Sequence, residues 1–180
     1  NEPFTFSVLG YMTGLHAPGK KGLSNFIPVI QNIAIAQADG GRIIRTVVQG
    51  ANIGSTFSCS EIIPYSYREE DIQAADRVDI VMNRLFIEPL LGNGFPVKSD
   101  FKFLQDLEMK NRSWRYYDRM KFDFDFLGLQ NYFPVVITNN SFIPVIKARD
   151  VKASKREVPH TDLDWEVNPD SFYRIIRKIS

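Results

Sequence analysis

Two short runs of strand length, "ANIGSTFS" at 51–58 and "DFLGLQ" at 125–130, stand on either side of a long stretch, Glu69–Glu88, whose apolar residues recur at helical spacing. The second run is apolar and bounded by turn-formers, as expected of a strand covered on both faces. No Asn-Gly turn follows either run directly, and Asn93-Gly94 lies beyond the helical stretch rather than between two strands, so a meander of antiparallel neighbours is not expected. Strand alternating with helix predicts βαβ units and a parallel sheet, which is the α/β class.

The helical stretch has a complete pattern. Its stripe is Ile72, Ala75, Val78, Met82, Leu85 and Phe86; Ser66 is placed to cap it, Glu69, Glu70 and Asp71 suit its positive end, and Pro89 closes it. A second helix is expected from Ser24 as N-cap to a stop at Gly50. It carries Ile30, Ile33, Ala34, Ile43, Ile44 and Val47, with Gln37 as a polar exception and Pro28 near its first turn. Gly40-Gly41 weakens its middle, but the stripe stays in phase across the glycines and predicts one helix. Shorter helices are expected around Phe101–Glu108 and from about Pro169 to Ile179, and residues 3–22 read as a long glycine-punctuated loop. No repeat, low-complexity tract or linker breaks the chain, so residues 1–180 are expected to form one domain. Two strands do not close a parallel sheet, however many helices accompany them. A (β/α)8 barrel takes about 250 residues, so a barrel could be represented here only by an interior slice.

Composition removes several classes of function. A net charge of +1 offers no basic field for nucleic acid. No apolar run is long enough for a membrane span, and no signal-peptide layout opens the chain. The first residue is Asn, so the chain is expected to begin inside a longer product. A lone cysteine, Cys59, excludes an internal disulfide framework and fits a reducing, cytoplasmic compartment. Cys59 lies between serines with no local base and reads as a buried small hydrophobe. His16 and His160 have no Cys or His at ligand spacing, so no metal site is expected. The fourteen Phe and seven Tyr suit a large core or a lined cleft. "SWRYYDRMKF" is assigned to packing or to a loop near such a cleft, and "KARDVKASKRE" to a solvated excursion.

The tripeptide "NEP" at 1–3 is weak by itself, because a Glu beside Pro is ordinarily a solvated loop residue. Its sequel changes the reading. "NEP" followed by "GYMTGLHAPG", then "IGSTFSCSEIIPYS", "AADRVDIVMNRLFIEPLLGNGFP", "FDFLGLQNYF" and "TDLDWEVNPDSFY" closely resembles glycoside hydrolase family 1, the β-glucosidase family, with five segments in the family's order. The resemblance spans essentially the whole chain, from the end of barrel strand 4 to just before strand 7. It implies a partial (β/α)8 TIM barrel, made of central βα units only, within a retaining β-glycosidase of β-glucosidase or β-galactosidase type.

The resemblance also implies roles. Glu2 matches the family's general acid/base, which protonates the glycosidic oxygen and later deprotonates the attacking water. Asn1 matches the residue that binds the sugar 2-hydroxyl, and Tyr132 the tyrosine that hydrogen-bonds the nucleophilic carboxylate. Gln130 and Ser58 stand where many members have Asn, and they are expected to bind substrate. No metal or organic cofactor is implied. The implied partners are a small oligosaccharide or aryl β-glycoside and the remainder of the same barrel, with neither nucleic acid nor membrane.

Retaining chemistry needs two carboxyls about 5–5.5 Å apart, one neutral and one charged. The family's nucleophile lies in a Thr-Glu-Asn-Gly stretch that is absent here. Asp123 and Asp125 read as solvent-facing or loop-capping, Glu61 as a loop residue, and Glu157 and Glu166 as part of a polar tail. The chain alone is therefore expected to be inactive. A catalytically inactive sugar-binding relative and a phospho-β-glycosidase are the rival readings.

Overall fold

The computed structural model describes residues 1–98, 101–110 and 118–180. Their contacts sort them into two compact units, one of residues 1–58 and 83–128, the other of residues 59–82 and 129–180. The first half of "SWRYYDRMKF" lies outside the described residues.

The first unit opens with a helix where the glycine content predicts a long loop. Helix α1 covers Pro3–Ser7 and runs directly into a π turn, Val8–Met12. Pro3 takes the first helical position, where a missing N–H is harmless and φ is already set. Buried Ser7 returns its hydroxyl to the Pro3 carbonyl. The glycines act only afterwards: Gly14, Gly19 and Gly22 turn the chain at φ of 72°, 75° and 86°.

Helix α2, Leu23–Val47, is continuous across Gly40-Gly41, as its pattern predicts. Its buried side is Phe26, Ile27, Ile30, Ala34, Ala38 and Gly41. Ile43 and Val47 do not belong to that stripe and are 62% and 71% exposed. At about 100° per residue they fall on the other side of the helix from Gly41. Gln37, the polar exception, donates to Ser55 Oγ of the neighbouring strand. A Cβ on Gly41 would lie 2.7 Å from the Phe122 ring, whereas beside Gly40 there is open space.

Strands β1, Gly54–Ser58, and β3, Phe126–Gln130, form a two-stranded sheet, as the two apolar runs predict. They approach closely, since a Cβ on Gly128 would stand 2.9 Å from Thr56 Oγ1. Asp125, just before β3, accepts from the Ile53 N–H just before β1 at 2.7 Å and pairs with Arg45 at 3.1 Å. Those two partners, the Ile53 N–H first, hold its carboxyl below the usual range. On α5, Lys102–Lys110, Phe103 stacks against Phe26 at 6.1 Å and packs against Phe101 at 5.5 Å.

The second unit contains a sheet that the sequence does not announce. Strand β2, Ile62–Pro64, runs parallel to β4, Val135–Asn139, which runs antiparallel to β5, Ala148–Asp150. The expectation of two strands in a purely parallel arrangement is corrected here. Three-residue strands are too short to carry a period, and β5 sits within the charged run read as a solvated excursion. Only its Ala148 faces inward, while Arg149 and Asp150 are exposed. Helix α3, Glu69–Asp79, packs Ala74, Ala75 and Val78 against Ile137 and Ala148, with Ile62, Met82, Val135 and Ile146 around them. The expected single helix to Glu88 is interrupted by a π turn, Ile80–Arg84, before α4, Leu85–Ile87.

Ser66 does not cap α3. Arg68 holds the N-cap position without a side-chain bond, and the Ser66 hydroxyl donates to Asp71 instead. The tail folds into a tight turn bridged by His160 and Glu166, followed by α6, Asp170–Ile179. Among the described residues, no helix is long and apolar enough to cross a membrane.

Candidate active site

Asn1, Glu2 and Ser58 lie in the first unit, and Gln130 and Tyr132 in the second. In the first unit, the Glu2 N–H donates to the Thr56 carbonyl of β1 at 3.3 Å, and the Glu2 carbonyl accepts from the Thr5 N–H at 3.1 Å. The residue ahead of α1 is thus held against β1, close in sequence to Ser58, the last residue of that strand. Glu2 adopts φ 48° and ψ 55°, the left-handed region. For a residue with a Cβ this conformation costs about 1–2 kcal/mol. Pro3 contributes to it by fixing the first helical φ and thereby the direction from which the chain must enter. The Glu2 carboxylate does not cap α1, and among the described residues nothing donates to it. Glu2 and Ser58 are half-buried and Asn1 is exposed.

In the second unit, the Gln130 carbonyl accepts from the Cys59 N–H at 2.8 Å, and Asn131 Nδ2 donates to the Cys59 carbonyl at 2.9 Å. Gln130 Oε1 is buried with no donor among the described residues. An unmet buried acceptor of this kind costs about 1–3 kcal/mol, which a ligand hydroxyl would recover. Tyr132 is 55% exposed. Its ring lies 5.8 Å from that of Trp165, which in turn stacks on Phe133 at 5.0 Å. Sequence reasoning did not single out Trp165 by itself. Its only signal was membership of "TDLDWEV", because contact with Tyr132 across that separation leaves no local pattern.

The other chemically able groups are engaged in the fold, although Glu61 Oε2 accepts no hydrogen bond among the described residues. Burial, then the charge of Asp79, pushes the Cys59 thiol up to about 12, which keeps it protonated and unreactive. Glu61 pairs with Arg174 at 2.5 Å, and Glu166 pairs with Arg156 at 2.6 Å. Fully buried Asp71 accepts from Ser66 Oγ, Thr138 Oγ1, the Asn139 N–H and Arg68 Nη2. Those donors, Ser66 first, hold its carboxyl far below the ordinary range. Glu157 is exposed, and His160 is exposed with Nδ1 at 2.8 Å from the Val158 carbonyl.

Known proteins resemble the chain along its full length. The model of glycosyl hydrolase family 1 matches residues 1–180. A 1,4-beta-D-glucan glucohydrolase of Thermotoga neapolitana is 30% identical over 99% of this chain and 41% of its own length. Among solved structures, the AHE enzyme of Alicyclobacillus herbarius superposes with a TM-score of 0.87 at 25% identity, over 99% of this chain and 39% of that one. The family 1 β-glucosidase of Thermotoga maritima gives 0.83 at 27% identity, over 99% of this chain and 39% of that one. A β-glucosidase of T. maritima in complex with glucoimidazole gives a TM-score of 0.82 at 25% identity, over 99% of this chain and 39% of that one. The chain thus spans about two fifths of the length of the proteins it matches. Its α/β elements are part of a (β/α)8 barrel.

Proposed function

Because this chain belongs to glycosyl hydrolase family 1, we propose that it is the part of a retaining β-glycosidase that carries the general acid/base. Glu2 fills that role. In the first step its carboxyl proton passes to the glycosidic oxygen while a nucleophilic carboxylate, from polypeptide outside this chain, attacks the anomeric carbon and forms a glycosyl ester. In the second, the Glu2 carboxylate takes a proton from the water that displaces the ester. Tyr132 hydrogen-bonds the nucleophile and keeps it ionised. Asn1 binds the sugar 2-hydroxyl, and Gln130 and Ser58 bind further hydroxyls. The substrate is a small oligosaccharide or aryl β-glycoside with a terminal β-linked glucose or galactose. Neither metal nor organic cofactor has a step in this scheme. With the nucleophile outside it, the isolated chain is inactive. A cytoplasmic setting goes with this reading, on the strength of the single buried cysteine.

The observation that carries the proposal is the treatment of Glu2. Its backbone is held in a costly conformation against β1, while no described residue ties its carboxylate into the structure. The test is Glu2→Gln in the polypeptide that carries this chain. Hydrolysis of cellobiose is expected to fall by about 10²–10⁴-fold. Dinitrophenyl β-glucoside, whose leaving group needs little proton help, should be affected far less. Full activity on cellobiose overturns the role of Glu2. Inversion at the anomeric carbon, read by NMR of the first-formed sugar, overturns the retaining mechanism.

A further inference from the structure

Polar contacts in the second unit close into a ring. The Glu61 carbonyl accepts from the Val135 N–H of β4 at 2.8 Å, while its carboxylate accepts from Arg174 Nε of α6 at 2.5 Å. Arg174 Nη2 reaches Asn168 Oδ1 at 3.2 Å, and Asn168 Nδ2 donates to Glu166 Oε1 at 2.9 Å. The other oxygen, Glu166 Oε2, pairs with Arg156 Nη1 at 2.6 Å, and Arg156 Nε donates to the Val151 carbonyl at 3.0 Å. The Val151 N–H returns to β4 through the Val136 carbonyl at 2.7 Å. Arg156 and Glu166 are 14% and 10% exposed, so their pair is sheltered from solvent and demanding of geometry.

Trp165 sits next to Glu166 in this ring. Its indole stacks on Phe133 and packs beside Tyr132, the residues that lead into β4. The segment that carries the indole is therefore gripped through Glu166 and Asn168, while the ring is fastened to the strand that follows Tyr132. One planar guanidinium, that of Arg174, serves two acceptors at once and fixes the bearing between them, which a lysine ammonium would not do.

We propose that Arg174 and Glu61 are positioning residues, holding the turn at 160–168 so that Trp165 props the Tyr132 ring in the orientation its task requires. The inference rests on the reading of Tyr132 as the group that hydrogen-bonds the nucleophile.

The test uses the polypeptide that carries this chain, labelled with 5-fluorotryptophan, with Trp165→Phe identifying the Trp165 resonance. Arg174→Lys and Arg174→Gln should shift and broaden that resonance. They should lower kcat on an aryl β-glucoside roughly tenfold while KM stays within about twofold, as misplacement of a reacting group does. Asn168→Ala cuts the same ring outside α6 and should act in the same direction, which keeps the test alive if an Arg174 variant fails to fold. An unmoved Trp165 resonance in folded variants overturns the proposal, as does a moved resonance with unchanged kcat. An inactive wild type whose Trp165 resonance still responds to Arg174 supports the clamp and defeats the glycosidase reading.

Discussion

Two helices of this molecule begin beside a carboxylate, α1 at Glu2 and α3 at Asp71, and they treat it in opposite ways. Asp71 is wholly buried and receives hydrogen bonds from Ser66, Thr138, Asn139 and Arg68. Its backbone is ordinary helix, and its charge is spent on tying the start of α3 to the end of β4. Glu2 has the reverse allocation. Its backbone is strained and bonded to β1, while nothing among the described residues donates to its carboxylate. A carboxylate saturated with donors acts as a structural tie and cannot carry a proton near neutrality. One that is held by its main chain and left unsaturated is available for chemistry.

Substitutions can break that contrast. Glu2→Gln should remove the most, with the cellobiose loss given above and a denaturation midpoint close to wild type. Asp71→Ala should do the opposite, lowering unfolding stability by about 2 kcal/mol because it removes a buried acceptor shared by three half-buried donors, Ser66, Thr138 and the Asn139 N–H; a midpoint unchanged in urea would show that they find other partners. Smaller effects sharpen the comparison. Thr138→Val removes one donor to Asp71 and should cost about 1 kcal/mol. Glu2→Gly relieves the left-handed strain and should raise stability by up to about 1 kcal/mol while hydrolysis of cellobiose is lost. A Glu2→Gly variant that is less stable than wild type would remove the case for strain at that position.

The gentlest probe is acid. The folded-state pKa of Asp71 is depressed, so its stabilisation is fully present above the ordinary carboxylate value of 3.8 and is lost as pH falls below that value. Unfolding curves of Asp71→Asn taken through this range should fall less steeply than those of the wild type. Equal slopes would assign the acid limb to other groups, Asp125 among them.

What could be read from the sequence follows the range of each interaction. Helices α2, α3, α5 and α6 and strands β1 and β3 declared themselves through local periodicity and turn residues. The π turn after α3, the three-residue strands β2 and β5 and the strand β4 between them did not, because they are fixed by what lies opposite them rather than by their own pattern. The same division runs through the candidate site. "NEP" is a local signal, since Pro3 both starts α1 and helps set the backbone of Glu2. The ring through Glu61 and Arg174 joins residues 113 positions apart, so its members looked like loop and tail charges until the fold brought them together. Spacing alone predicts Ser66 as a cap. Its hydroxyl had a stronger option in the buried Asp71 carboxylate, and a charge-assisted bond outranks a neutral one.

The adjacent glycines of α2 are chemically identical, yet only one stands against a neighbouring side chain. At Gly41 the Phe122 ring occupies the place a methyl would need, so a larger residue there requires the ring to move or a smaller side chain at 122. Beside its neighbour, Gly40, there is open space. Alanine at position 40 should lengthen the lifetime of the helix at no steric expense, which makes this dipeptide a place where random mutagenesis would return opposite phenotypes from consecutive codons.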